Sequence, residues 1–207
     1  MDHSARLASL TLLTICSTLC ACQKPPRSRG EAVTRMIQLQ ESGHYDDAVR
    51  VVENWMNQHQ NDTSQNDFLH LQIAMVFISR AYHKQSTRDE SLDNAASHLE
   101  QALNLYAAKK PEDEDTTLFG IGGAYEILGD LSQNNKCRFL GKARTAFDEQ
   151  LPLIKGDSYT AYGKTVALEP LRIEIRKHLT SVEDKSAQAG CSVRERGSGL
   201  MAFCLCA

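Results

Sequence analysis

The chain has 207 residues, of which 42% are hydrophobic and 24% are charged, and this size allows one domain or a short repeat array. The net charge of -3 argues against a nucleic-acid-binding protein, because phosphate binding needs a concentrated basic surface. Aromatic residues make up only 6% and include a single Trp, so a stacking surface for single strands is not expected either.

The first 21 residues have the pattern of a targeting signal. Arg6 supplies a weakly positive start, and a mostly apolar run follows from Leu7 to Leu19. The run has about 13 residues, whereas a membrane-spanning helix needs roughly 20. We therefore predict a signal peptide over residues 1–21. A plain secretory signal cleaved nearby and an uncleaved anchor are the alternatives.

The end of this segment, Leu19-Cys20-Ala21-Cys22, resembles the lipobox of bacterial lipoproteins. The resemblance implies cleavage before Cys22 and attachment of fatty acids such as palmitate to that cysteine. Two or more acyl chains would anchor the protein durably, since each buried methylene contributes about 0.8 kcal/mol. Residues 22–30 would form the lipidated cysteine and a polar linker. Gln23 in place of Asp resembles an outer-membrane address, which implies the periplasmic face of that membrane in the cell envelope.

The body of the chain is expected to be helical. Between Glu31 and Gln60, apolar residues recur with helical spacing on both sides of Gly43, which predicts two antiparallel helices joined by a tight turn. A capping box at Ser64–Asp67 is expected to open the third helix. The predicted helices after the first cover about Tyr45–His59, Asp67–Lys84, Leu92–Tyr106, Leu118–Gly129 and Cys137–Leu151, with polar connections at 85–91 and 109–115.

The second helices of these hairpins repeat a pattern of small and large residues. Ala48, Val52 and Trp55 correspond to Ala95, Leu99 and Ala102, and then to Ala143, Phe147 and Gln150, at spacings of 47 and 48 residues. A small residue followed by a large one at i+4 is what a close helix crossing needs. A regular period of this size is typical of an α-solenoid.

The turn Gly43-His44-Tyr45-Asp46-Asp47-Ala48 resembles that of tetratricopeptide repeats, and Gly122 and Tyr125 resemble their first-helix positions. The family period is 34, so the later units would need longer turns. The resemblance implies an all-α fold, a right-handed α-solenoid of about three antiparallel helical hairpins plus C-terminal capping helices, over residues 31–183. A HEAT-like array or an irregular helical bundle is the alternative.

The C-terminal third is predicted to contain two more helices and a tail. Asp157–Ala167 is expected to be helical, and Pro170 suits the first turn of a last amphipathic helix whose charged residues, Arg172 among them, point away from the core. Residues 184–207 are expected to be a disordered tail. Six of the seven cysteines lie near the two termini and only Cys137 lies in the body, which does not indicate a disulfide framework.

No catalytic or metal-binding pattern is recognisable in the sequence. The seven histidines are scattered and have no metal-ligand spacing, so surface positions are expected for them. Gly120-Ile121-Gly122-Gly123 lacks the lysine and the preceding strand of a phosphate loop and is typical instead of a close helix crossing. We therefore predict a protein that is not an enzyme and has no cofactor and no metal site.

The function predicted from these features is that of a lipid-anchored scaffold for protein–protein interactions. Its partner would be a protein or peptide of the envelope, bound on the first helices of the hairpins, where Gln38, Arg80 and Tyr125 are the expected contact residues. Two alternatives stay open: a structural accessory lipoprotein that binds through its C-terminal segment, and a helical enzyme with an unrecognised site.

Overall fold

A computed structural model of the chain describes residues 24–109, 116–161 and 164–192. The described part is all-helical apart from one short strand pair, which confirms the all-α class. The elements are α1 (Arg29–Glu41), α2 (Tyr45–Gln58), α3 (Asn66–His83), α4 (Arg88–Ala108), α5 (Thr117–Leu131), α6 (Lys136–Gln150), β1 (Ser158–Ala161), β2 (Lys164–Ala167) and α7 (Glu169–Gln188), with short 3-10 turns at Gln85–Thr87 and Leu151–Leu153.

The turn between α1 and α2 forms where the sequence predicts it. Gly43 has a φ of +76°, a conformation that residues with a Cβ rarely adopt, and the backbone N–H of His44 donates to the carbonyl of Leu39. Tyr45 and Ala48 then turn into the core at the start of α2. This turn explains why α1 and α2 pack directly against each other.

Helices that follow one another in the chain pack together: α1 with α2, α3 with α4, and α5 with α6. The predicted small and large positions lie at these contacts, because Ala95, Leu99, Ala143 and Phe147 are all completely buried. A Cβ on Gly122 would lie 2.7 Å from the ring of Phe147, so this glycine permits the close crossing of α5 and α6. The core runs continuously through these helices, and α3 also contacts α5.

The prediction of a helix over Asp157–Ala167 is wrong. These residues form an antiparallel strand pair in which Tyr159 is opposite Val166 and Thr160 is opposite Thr165. β-branched and aromatic residues favour strands, and here they follow Gly156, whose φ of +75° breaks any helix. Leu168 closes the hairpin by donating its backbone N–H to the carbonyl of Asp157.

The cysteine positions do not indicate a disulfide framework, but the structure contains a disulfide that links two helices of the body. Cys137 at the start of α6 forms a disulfide with Cys191, which follows α7 and lies 54 residues further along the chain. The predicted tail boundary changes with it, because α7 continues to Gln188 and Cys191 is buried. The ordered part therefore extends beyond residue 183, and residues 193–207 lie outside the described residues.

The last helix, α7, lies against α6 and α5. Pro170 occupies its first turn as predicted, and Ile175 and Val182 are buried on its inner face. Arg172 does not point away as expected, since its guanidinium donates to the carbonyls of Ile154 and Gly156. The helix thus covers one end of the packed helices.

The predicted capping box at the start of α3 does not form. The Ser64 hydroxyl donates to a carboxylate oxygen of Asp62 at 2.8 Å, and Gln65, the N-cap residue of α3, makes no side-chain capping hydrogen bond. Arg29 from the start of α1 donates to the same Asp62 side chain and to Gln65. The loop before α3 is therefore held by α1 rather than by its own capping residues.

Candidate functional site

A groove lies between α4 and α6, and we call it the α4–α6 groove. Residues from the first turns of both helices line one cleft of about 380 Å³, and residues from the later turns of both line a second cleft of about 410 Å³. The two helices therefore run parallel. Leu131 and Leu118 of α5 lie in the first and second cleft, respectively, so α5 forms the floor between the two outer helices.

The two clefts differ in their lining. The first is mostly polar and lies where α4 begins and α5 turns into α6. The second is more apolar, with Leu103, Ala107 and Leu118 on its walls. The polar residues of the first cleft are Gln85, Arg88, Asp89, Asp93, Ser132, Gln133, Asn134 and Asn135.

A pair of ionic contacts crosses the groove at the second cleft, which Glu100 and Lys142 line. The carboxylate of Glu100 on α4 accepts from Lys142 at 2.6 Å and from Arg138 at 2.8 Å, both on α6. Burial opposes ionisation of Glu100, but the two cations hold its pKa below its ordinary value. One carboxylate on α4 thus pairs with two cations on α6, so this cluster carries one more positive than negative charge.

Tyr125 lies at the middle of the floor. Its side chain is fully buried, its ring packs on Phe139, and the ammonium of Lys142 lies 5.3 Å from the ring centroid. Burial and the charge of Glu100 raise the pKa of the phenol well above its ordinary value. The hydroxyl has no hydrogen-bond partner among the described residues, so the phenol contributes to the packing under the groove.

Acidic residues line both clefts, and each cleft also contains a basic residue, Arg88 in the first and Lys142 in the second. Asp89 and Asp93 line the first cleft and Glu149 lines the second, and within the described part of the chain none of the three forms an ion pair. Burial, and the neighbouring charge of Asp148, raise the pKa of Glu149 above its ordinary value. The groove is therefore lined by both acidic and basic side chains along its length.

A second cluster joins α5 to α7. The carboxylate of Glu126, which is 6% exposed, accepts from His178 at 2.6 Å, from the Ser181 hydroxyl at 2.7 Å and from Lys185 at 2.8 Å. Burial would raise its pKa, but these donors lower it below the ordinary value. Because the hydroxyl donates to Glu126 and not to the imidazole, His178 does not activate Ser181 as a nucleophile. The cluster holds α7 in place.

Two of the histidines expected at the surface meet between α3 and α4. The Nδ1 atoms of His70 and His98 are 2.9 Å apart and the ring centroids 5.2 Å apart, so the nitrogens point almost straight at each other. This is the geometry of an N–H···N hydrogen bond, whereas two metal ligands would point at a third position. Burial, and then the charge of His70, lower the pKa of His98 to about 4.

The residues predicted to bind a partner have different environments. Cys22, the predicted site of lipid attachment, lies outside the described residues. Gln38 is exposed on α1, and Arg80 on α3 is largely covered and pairs with Asp46 at 2.9 Å. The expectation that Tyr125 contacts a partner directly is wrong, because its side chain is completely buried.

The groove and the Glu126 cluster were not found from the sequence. A signal for the cluster exists, since Glu126 is the only charged residue between Thr117 and Gly129. An isolated charge in an apolar helix indicates a buried charge with partners on another helix. His178, Ser181 and Lys185 lie on one face of α7, at the spacing that such a partner helix needs.

Across residues 24–109, 116–161 and 164–192, no group of three or more His, Cys, Asp or Glu side chains is placed to hold a metal ion. The same residues include no helix that combines the length and the apolar composition needed to cross a membrane. Comparison of the chain with protein-family models, with curated proteins and with solved structures gives no match.

Proposed function

We propose that this protein is a lipid-anchored scaffold of the bacterial cell envelope that binds another protein through its helical repeats. The observation that favours this function is the α4–α6 groove, an open cleft between parallel helices with an apolar wall at Leu103 and Leu118. Parallel helices over a common floor hold an elongated segment without rearrangement, which lowers the cost of binding. A bound partner would lie along the groove.

We further propose that the helices form a right-handed solenoid of tetratricopeptide-like hairpins. Three observations support this arrangement. Successive helices pair, α4 and α6 run parallel, and α7 covers one end as a capping helix does. The corresponding alanines Ala48, Ala95 and Ala143 are all fully buried, in agreement with one repeated packing unit.

Export from the cytoplasm is supported by the disulfide between Cys137 and Cys191. Disulfides persist in oxidising compartments such as the bacterial periplasm and are rare in the cytosol. The bond therefore agrees with a signal peptide over residues 1–21 and with anchoring at Cys22. We propose the periplasmic face of the outer membrane as the site of action, with palmitate among the acyl groups.

Cross-linking in cells tests the binding function. A photoreactive amino acid at Ala107, which is exposed and lines the second cleft, is expected to capture one protein on illumination. The matched control is the same amino acid at Asn57, which is exposed on α2 and lies outside the groove. Equal capture from both positions, or no capture from Ala107, would argue against the groove as a binding site.

Anchoring is tested separately with Cys22→Ser. The wild-type protein is expected to fractionate with membranes and to incorporate labelled palmitate, and the variant is expected to do neither. If the variant still incorporates the label, acylation at Cys22 is refuted. The variant leaves the described helices untouched, so its folding should match that of the wild type.

A further inference from the structure

We propose that the disulfide between Cys137 and Cys191 is a site of thiol–disulfide exchange, at which a dithiol reductant attacks the sulfur of Cys137. The two cysteines differ in access. Cys191 is only 5% exposed, whereas Cys137 is partly exposed and lines a surface cavity of about 550 Å³. Because exchange needs access to the sulfur that is attacked, the reductant reaches Cys137 first. This inference goes beyond the proposed function and does not depend on the α4–α6 groove.

The surroundings of Cys137 attract an incoming thiolate. Among the described residues, the cavity is lined by two basic side chains, Lys136 and Arg138, and by no acidic one. Arg138 shares its charge with Glu100 at 2.8 Å, so Lys136 is the basic residue that matters most here. The first turn of α6 contains no acid, and Asn135 makes no side-chain capping hydrogen bond to it. The positive end of the helix dipole is therefore available to a negative charge at the cavity.

The exchange has two steps. One thiolate of the dithiol bonds to the Sγ atom of Cys137, the bond to Cys191 breaks, and the Cys191 sulfur leaves as a thiolate that takes a proton from water. The second thiol of the reductant gives up its proton and attacks its own sulfur that is bonded to Cys137, which leaves as a thiolate. The reductant is thereby oxidised to a disulfide, and the two cysteines gain two electrons. The Cys137 thiolate lies on the second residue of α6, where the helix dipole and Lys136 stabilise it.

Opening of the bond is expected to leave α7 in place. Glu126 on α5 accepts from Lys185 of α7, and Ile175 and Val182 are buried on the inner face of that helix. These contacts do not involve the disulfide, so the native fold persists at lower stability and the exchange takes place on the folded protein. Reduction then releases the chain at Cys191 from α6. The bond is therefore a redox-controlled tether between the end of α7 and the start of α6.

The attacked sulfur is identified with glutathione, a monothiol that leaves a mixed disulfide on the protein. The full-length chain carries Cys204→Ser/Cys206→Ser, so that these two thiols cannot take part. The reaction is stopped early with acid, and alkylation of free thiols followed by peptide mass spectrometry assigns the adduct. We expect glutathione on Cys137 in about tenfold excess over Cys191. An adduct mainly on Cys191, or equal amounts on both cysteines, would overturn the inference.

The rate of reduction by dithiothreitol tests the role of the surroundings. Lys136→Glu is expected to lower the rate constant by about threefold, because it replaces an attractive charge with a repulsive one. The matched control Lys177→Glu makes the same change at an exposed position of α7 and should react as the wild type does. An unchanged rate for Lys136→Glu, or an equal loss in the control, would contradict the proposal. A rate that rises steeply in dilute urea would also overturn it, because the bond would then be reduced only in the unfolded chain.

Discussion

Removal of the disulfide between Cys137 and Cys191 is expected to destabilise the fold strongly. The bond closes a loop with a sequence separation of 54 residues. The loss of loop-closure entropy in the unfolded chain then corresponds to about 4 kcal/mol at 25 °C. For a domain of this size, 1 kcal/mol shifts the melting temperature by about 3 °C, so the melting temperature should fall by about 12 °C. The loop contains α6 and α7. Removal of the bond should lower stability mainly by raising the conformational entropy of the unfolded chain.

The assay is urea denaturation of the wild type and of Cys137→Ala/Cys191→Ala, each with and without a reductant. The reductant should lower the free energy of unfolding of the wild type by about 2–4 kcal/mol and leave the double variant unchanged. A free energy of unfolding of the double variant that lies less than 1 kcal/mol below that of the wild type would contradict this prediction. An equal effect of the reductant on both proteins would show that other cysteines are responsible.

Three further predictions concern the helix contacts. Gly122→Ala should destabilise the fold by about 1–3 kcal/mol, because the new Cβ would lie 2.7 Å from Phe147. Gly123→Ala should stabilise it by about 0.5–1 kcal/mol, because a Cβ there meets no neighbouring atom and alanine favours the helix. Thermal unfolding of both variants would separate crowding from helix propensity. Glu126→Gln should cost about 2 kcal/mol and speed amide hydrogen exchange in α7, while unchanged exchange would refute its role in holding that helix. For His98, the pKa of about 4 in the folded protein lies below the unfolded value of 6.5. Its contribution to the free energy of unfolding is therefore complete above pH 6.5 and is lost as the pH falls toward 4. After allowance for solvent at the partly exposed ring, the loss is about 1–2 kcal/mol, and His98→Gln should remove it from the stability–pH profile.

Much of the helical fold could be predicted because each helix has a strong local signal. Gly43 has the positive φ that its place between two apolar runs predicts, and the repeated alanines are buried as expected. These features depend on spacing within one helix or one turn, which a single sequence shows directly. The solenoid arrangement depends on contacts between hairpins and stays a proposal.

The errors arose where distant residues decide the structure. Tyr159 and Val166 fit an apolar helical face by spacing, but pairing across a hairpin gives them a strand. Cys191 was assigned to a tail because local periodicity ends before it, and its partner Cys137 lies 54 residues upstream. The meeting of His70 with His98 likewise requires α3 and α4 to be placed side by side. None of these contacts has a local signature.

The candidate site was predicted less well than the fold. Tyr125 is expected from the sequence to contact a partner as an aromatic residue on a first helix, but it is buried under the Glu100–Lys142 contact. The acids Asp93 and Glu149 are 56 residues apart in the chain and become related only when α4 and α6 run parallel.

Binding of a partner in the α4–α6 groove is tested most directly by the dissociation constant of the captured protein for two matched variants. Asn104→Arg places a bulky side chain at an exposed position in the second cleft, and Asn57→Arg makes the same change on α2. We expect at least tenfold weaker binding for Asn104→Arg, with wild-type binding for Asn57→Arg and for a chain that lacks residues 193–207. Wild-type binding by Asn104→Arg, together with loss of binding on removal of 193–207, would contradict a groove-bound partner and place the contact in the C-terminal segment.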